Sequence, residues 1–239
     1  MNRPLLSFRR TDFSISEDIE EVAKEFANHF TTRKNQIRFF CNLIKTSKYW
    51  NTNNLHEKLI AWKESVKRIK GTSKTVKLVE KAFNLCLCDD DINSLRGAMV
   101  ESLIISHYGG AKVLSNPNKA GWGAKVYYHQ NNQSQVIRYN CEKLLYDHCE
   151  DKATVDFGYW DGHHGKFYEC KVLPKRIECK DKRFMENLSS VLTHQGISHE
   201  VFFVCADTEE AIDANIADID IGIRLKSVGI RQLERGLES

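Results

Sequence analysis

The apolar positions of the first hundred residues recur with a helical period. Ile19, Val22, Ala23, Phe26, Ala27 and Phe30 keep the i, i+3, i+4, i+7 spacing of one buried face. Ser14-Ile15-Ser16-Glu17 has the form of a capping box at the start of that helix. Leu55, Leu59, Trp62, Val66 and Ile69 repeat the pattern, while Lys63, Lys67, Arg68 and Lys70 fall largely off the stripe. Gly71-Thr72-Ser73 punctuates the chain, and the spacing beyond it predicts a helix over about 74–87. Cys88-Asp89-Asp90-Asp91 is a polar break suited to cap the next helix, from Ile92 to Tyr108, which Gly109-Gly110 stops.

Beyond residue 110 the period changes. Trp122 to His129 alternates as a strand does, and Gln135 to Asn140 extends it or pairs with it. Two further strands are predicted over Ala153–Trp160 and Lys166–Leu173, the second ended by Pro174. Asp181–His194 reads as a helix with Phe184, Leu188, Val191 and Leu192 on one side. The apolar run Glu200–Cys205 reads as a buried strand, and Thr208 caps a helix through about Ala217. The order from Ile92 is helix, about three strands, helix, strand, helix. It predicts an α/β fold with a mixed central sheet over residues 91–239, preceded by an all-helical, basic region over residues 1–90.

At 239 residues, 28% charged and 41% hydrophobic, the chain has the composition of a globular protein. No run approaches the length of a transmembrane helix, and the first residues lack the long apolar core of a secretion signal. The expectation is a cytoplasmic protein with no membrane partner. Its eight cysteines are then expected as thiols; Cys86-Leu87-Cys88 has no matching pair or His cluster at zinc-ligand spacing. The net charge of +3 hides an asymmetry. Residues 33–81 carry thirteen Lys/Arg against three Asp/Glu, a local excess of +10, and the rest of the chain is at −7. Such a block, with Trp50 and Trp62 among its lysines, suits a polyanion such as nucleic acid; it also suits a solvated helical surface.

The segment Thr154–Lys171, TVDFGYWDGHHGKFYECK, holds the candidate chemistry. With Gly162-His163 at the centre of a turn, Asp156 lies directly opposite Glu169. Alternation puts Val155, Phe157, Tyr159, Tyr168, Cys170 and Val172 on one face, expected to pack on the core. Asp156, Gly158, Trp160, Phe167, Glu169 and Lys171 share the other. Two opposed carboxylates repel unless positive charge lies between them, and a hard divalent cation such as Mg²⁺ would supply it. Lys171 reaches the same pocket, where it is expected to orient or deprotonate an attacking water. Glu101 is a third carboxylate, set on its helix among Gly97, Ala98, Ile104 and Ile105, where a helix seldom places a charge.

A helix bearing Glu (Glu101 in LRGAMVE), an Asp opening a strand (Asp156 in TVDF) and Glu169-Cys170-Lys171 in the next strand resemble the PD-(D/E)XK, or restriction-endonuclease-like, nuclease superfamily. The element order over about Ile92–Ala206 also resembles that superfamily's αβββαβ core. The resemblance implies that Asp156, Glu169 and the backbone carbonyl of Cys170 ligate Mg²⁺, with Mn²⁺ able to substitute, and that Glu101 supports the metal site. Lys171 would position the water that attacks a phosphodiester in line. It further implies a DNA endonuclease, by analogy one of bacterial restriction or anti-phage defence, active as a homodimer or under a controlling partner protein. RNA as substrate, or a binding module that does not cut, are the alternatives. Lys175 and Arg176 after the motif, with Lys63, Lys67, Arg68 and Lys70 upstream, are the candidate phosphate contacts. His163-His164 faintly resembles a ββα-metal nuclease motif, but no further His or Asn stands out on a following helix; ordinary turn histidines are the simpler account.

Overall fold

The structure, a computed structural model, describes residues 5–12, 15–130, 133–140, 150–217 and 225–237. In chain order the elements are β1 (Leu6–Arg10), α1 (Glu17–Phe30), α2 (Ile37–Thr46), α3 (Leu55–Val66), α4 (Ser73–Asn84), α5 (Asp89–His107), β2 (Ala120–Gln130), β3 (Gln133–Val136), β4 (Val155–Trp160), β5 (His164–Lys171), α6 (Cys179–His194), β6 (Ser198–Cys205), α7 (Glu209–Ile216), β7 (Lys226–Val228) and α8 (Ile230–Arg235). They fall into two compact units. One comprises residues 1–12 and 112–229, the other residues 13–111 and 230–239. No helix among the described residues is long and apolar enough to cross a membrane.

The first unit is built on a seven-stranded mixed sheet in the order β1-β2-β4-β5-β6-β7, with β3 also pairing with β2. The β1/β2, β2/β3, β2/β4 and β4/β5 pairs are antiparallel; β5/β6 and β6/β7 are parallel. The β4/β5 register pairs Phe157 with Tyr168 and Gly158 with Phe167, the register expected from the turn, and its continuation sets Asp156 opposite Glu169. The face expected to pack on the core is buried, and so is the other. Trp160 and Phe167 join Leu6, Phe8, Phe184, Leu188, Leu192 and Phe203 in one core, and Tyr168 stacks on Phe202, ring centroids 4.7 Å apart, on the opposite face. The side that carries the carboxylates is therefore the floor of the α6 core.

β1 was not expected in a region read as helical throughout. Its five residues are too short for a clear alternation, and the sheet supplies the partners that fix it as a strand. Phe8 of β1 lies over Gly158 and Gly121, which face each other across β4 and β2. A Cβ on either glycine would overlap the Phe8 side chain. The paired glycines form a slot for that ring.

The second unit is helical. α1 buries Ile19, Val22, Ala23, Phe26, Ala27 and Phe30, and Phe26, Phe30 and Phe40 meet with ring centroids 4.6–6.4 Å apart. The N-cap of α1 is Ser16, whose hydroxyl accepts from the Ile19 amide at 3.4 Å; the expected Ser14 lies outside the described residues. α5 is buried around much of its circumference, as befits a central helix. Asp91 accepts from the Leu87 and Cys88 amides at its start, and Gly109 and Gly110, with φ of 99° and 77°, end it. The boundary expected near residue 90 falls inside this unit, which α5 extends and α8 completes.

Candidate active site

Within the sheet unit, five charged side chains converge where β5 ends. Asp156 is the second residue of β4, and its Oδ2 accepts from the Cys170 amide at 2.6 Å. Glu169 is completely buried. Lys171 closes β5. The remaining two were not singled out in the sequence: Lys152, just before β4, and Asp181, in the first turn of α6.

The two lysines bridge the same two carboxylates. Lys152 Nζ lies 2.8 Å from Glu169 Oε1 and 3.1 Å from Asp181 Oδ1. Lys171 Nζ lies 2.9 Å from Glu169 Oε1 and 3.0 Å from Asp181 Oδ2. Asp181 also accepts from the Glu178 amide at 2.9 Å, closing a capping box that fixes the start of α6. Lys152 is itself held by the Lys152–Tyr139 bridge, whose amides and carbonyls exchange hydrogen bonds at 2.7 and 2.9 Å. Here ammonium groups supply positive charge beside Glu169 and Asp181.

The protonation tendencies follow from this packing. Burial, and then the neighbouring charge of Asp156, push Glu169 up to about 8 despite the pull of the two lysines. Burial would also raise Asp181, but Lys152, Lys171, Glu169 and the Glu178 amide outweigh it and hold its carboxyl below the usual range. Burial would lower both lysines; Glu169, Asp156 and Asp181 overcome it and hold them above the ordinary value. With no divalent ion in the site, Lys171 is thus held as a cation. It is suited to orient a water or a phosphate oxygen.

One polar atom is left over. Glu169 Oε2 is buried with no hydrogen-bond partner, a costly state for a carboxylate oxygen. The amide bond from Cys170 to Asp156 also turns the Cys170 carbonyl to that same edge of β5, since both backbone groups of an extended residue point one way. Among the described residues, no group of three or more His, Cys, Asp or Glu side chains is disposed to hold a metal ion as it stands.

The other expected residues are distributed as follows. Glu101 is on α5 of the helical unit, partly exposed, with Gly97 leaving open space beside its carboxylate. Lys175 and Arg176 form an exposed 3-10 turn directly after β5, in the same unit as the charged cluster. Of the α3 group, Lys63 is paired with Glu80 and Lys67 with Glu64 at 3.3 Å, whereas Arg68 and Lys70 are exposed. His163 sits in the turn and His164 opens β5, both amides donating to Asp161 Oδ1 at 2.7 Å. His164 also bonds Ser198 at 2.8 Å. Cys86 and Cys88 are free thiols, the first buried and the second exposed, and burial pushes Cys86 up to about 12.

No family model matches the chain, and no curated protein does. Among solved structures it is similar to protein VC1899 from Vibrio cholerae, at 10% identity and a TM-score of 0.40, over 97% of this chain and 56% of that one. At that score the likeness does not establish a shared fold.

Proposed function

We propose that this chain is a Mg²⁺-dependent nuclease of the PD-(D/E)XK type, hydrolysing phosphodiester bonds and most suited to DNA. The observation that carries the reading is the buried Glu169 with one unpartnered oxygen, set across the strand from Asp156 and two residues from Lys171. Ordinary half-buried hairpins do not place two carboxylates and a lysine in the floor of a core.

The residues fit a hard cation in chemistry. Asp156, Glu169 through its unpartnered Oε2, and the Cys170 carbonyl would hold it, all through oxygen, as Mg²⁺ prefers. When bound, Mg²⁺ supplies charge stabilisation on the phosphate and a more acidic water. The chain's own groups do the positioning. Lys171, anchored by Asp181, orients the attacking water and offers its charge to the phosphate. Lys152 neutralises Glu169 and Asp181 and must shift when a divalent charge arrives, since both would otherwise stand against the same carboxylate. Lys175 and Arg176, exposed and four and five residues after Lys171, would meet the substrate backbone. Two-strand cutting would need two such sites, hence a homodimer or a second visit. A role in bacterial restriction or anti-phage defence rests on analogy.

The second reading is a binding module that does not cut. It is favoured by the same ion pairs, because two ammonium groups already neutralise the carboxylates and Glu169 is sealed from solvent. Plasmid DNA, single-stranded DNA and RNA incubated with Mg²⁺ or Mn²⁺ separate the two. Cleavage by the wild type, lost in Glu169→Ala and Lys171→Ala, supports the nuclease; intact substrates throughout support the binding module.

A further inference from the structure

The helical unit has a cleft of about 520 Å³ that the nuclease reading does not use. It lies between α1 and α4. Glu25, Asn28, His29 and Thr32 recur at i, i+3, i+4 and i+7 along the last turns of α1 and just beyond. Lys74, Lys77 and Lys81 recur at i, i+3 and i+7 along α4, and Arg33 flanks them. Glu25, the one carboxylate of the lining, is paired with Lys81. Among the described residues no carboxylate pairs with Arg33, Lys74 or Lys77, and all three are exposed. Three unneutralised cations therefore face one concavity. The helix termini do not cancel them, because the positive end of α4 and the negative end of α1 adjoin and offset each other.

We propose that this α1/α4 cleft binds a ligand bearing two or more phosphate groups, independently of the charged cluster in the sheet unit. Its volume is that of a small-ligand site. The lining has no Phe, Tyr or Trp, and its one imidazole, His29, is buried and hydrogen-bonded, so it offers no exposed platform for a base, and phosphate is what its chemistry recognises. Asn28 Oδ1 accepts from the Ala111 amide at 2.9 Å, which leaves the NH₂ of its side chain as a further donor. The floor is rigid. His29 is buried and bonded to Thr75 at 2.7 Å; Thr75 donates to Gln36, and Gln36 donates to the Gly71 carbonyl at 3.0 Å. Since Thr75 spends its only proton on Gln36, it must accept from His29 Nε2, which fixes the imidazole tautomer. Burial, then Lys74 and Arg33, hold His29 below its ordinary pKa, so both cations act on the floor of the cleft. The phosphates belong either to a free nucleoside polyphosphate or to successive links of a nucleic-acid backbone.

The test is calorimetric titration of the full chain at about 0.15 M salt, where weak surface attraction is screened. The probes are tripolyphosphate, ATP and a short single-stranded DNA, with imidazole NMR of His29 alongside. Saturable binding is expected, weakened about tenfold or more in Lys74→Gln/Lys77→Gln and unchanged in Lys58→Gln, an exposed lysine outside the cleft. The His29 titration midpoint should rise on saturation, because a bound anion offsets Lys74 and Arg33. Equal affinity for ATP and tripolyphosphate assigns a free polyphosphate; tighter binding of the DNA assigns the backbone. Absence of binding by all three probes, equal losses in the Lys58 and Lys74/Lys77 variants, or an unmoved His29 overturns the proposal. Glu169→Ala must bind as the wild type does, so failure here is separable from failure of the nuclease reading.

Discussion

Lys152 reaches from the segment before β4 to Glu169 at the end of β5, their charged atoms 2.8 Å apart, with the carboxylate wholly buried. A buried ion pair contributes little over a well-packed apolar pair, yet removing one partner leaves the other charge stranded. Lys152→Ala is therefore expected to destabilise the fold by about 3 kcal/mol, and Lys152→Met by less, in urea unfolding. If divalent cations and Lys152 compete for the same carboxylates, Mg²⁺ should raise the Tm of Lys152→Ala more than that of the wild type.

Lys171 separates positioning from basicity. With no divalent ion in the site, Glu169, Asp156 and Asp181 hold it as a cation, the form that positions a water rather than deprotonating it. Lys171→Arg should keep a measurable fraction of any cleavage activity, and Lys171→Met should lose about a hundredfold or more. Equal loss in both would show that geometry beyond the charge is required.

The glycine slot under Phe8 makes a purely structural prediction. Gly158→Ala places a methyl group against a ring already fixed between β2, β4 and Phe167, and should cost about 1–3 kcal/mol in stability. Phe8→Leu combined with Gly158→Ala should recover part of that loss; no recovery would place the strain elsewhere.

His107 gives the pH dependence of the helical unit a sign. Its Nε2 is buried without a partner, and burial, then Lys34, push it down to about 4. The unfolded chain takes up this proton near 6.5 and the folded chain only near 4, so its contribution is intact above 6.5 and is lost as pH falls between those values. Unfolding at about pH 5 should be easier than at neutral pH by up to about 2 kcal/mol from this group, and His107→Leu should flatten the difference.

On the helical surface, paired and unpaired cations can be told apart. Lys63 and Lys67 already have carboxylate partners, whereas Arg68 and Lys70 are exposed. If α3 and the turn after it meet DNA, neutralising Arg68 and Lys70 should lower the salt slope of binding by roughly one for each phosphate the protein ceases to neutralise. Neutralising Lys63 and Lys67 should change it less. An unchanged slope in all four variants removes α3 from the interface.

Periodicity was enough to read α1, α5, α6 and the β4/β5 register, because each buries one repeating set of side chains whose spacing survives in the sequence. The same register placed Asp156 across from Glu169. β1 was not legible, since five residues acquire their meaning only from β2, and the paired glycines that seat Phe8 are far apart in sequence. Lys152 and Asp181 carry no legible signal in the sequence, for different reasons. Asp181 has an ordinary explanation as a capping residue, which the structure keeps while adding two ion pairs. Lys152 lies in no periodic element, and its approach to Glu169 depends on its bridge to Tyr139.

The nuclease reading requires Asp156 and the buried Glu169 to form an oxygen site for a divalent cation. Anomalous diffraction from a crystal of the protein soaked in Mn²⁺ addresses this without relying on any choice of substrate. The expected map has one peak within ligand distance of Asp156, Glu169 Oε2 and the Cys170 carbonyl, with the Lys152 ammonium drawn away from Glu169. A map with no peak there, and Lys152 still paired with Glu169 and Asp181, would rule the cation site out.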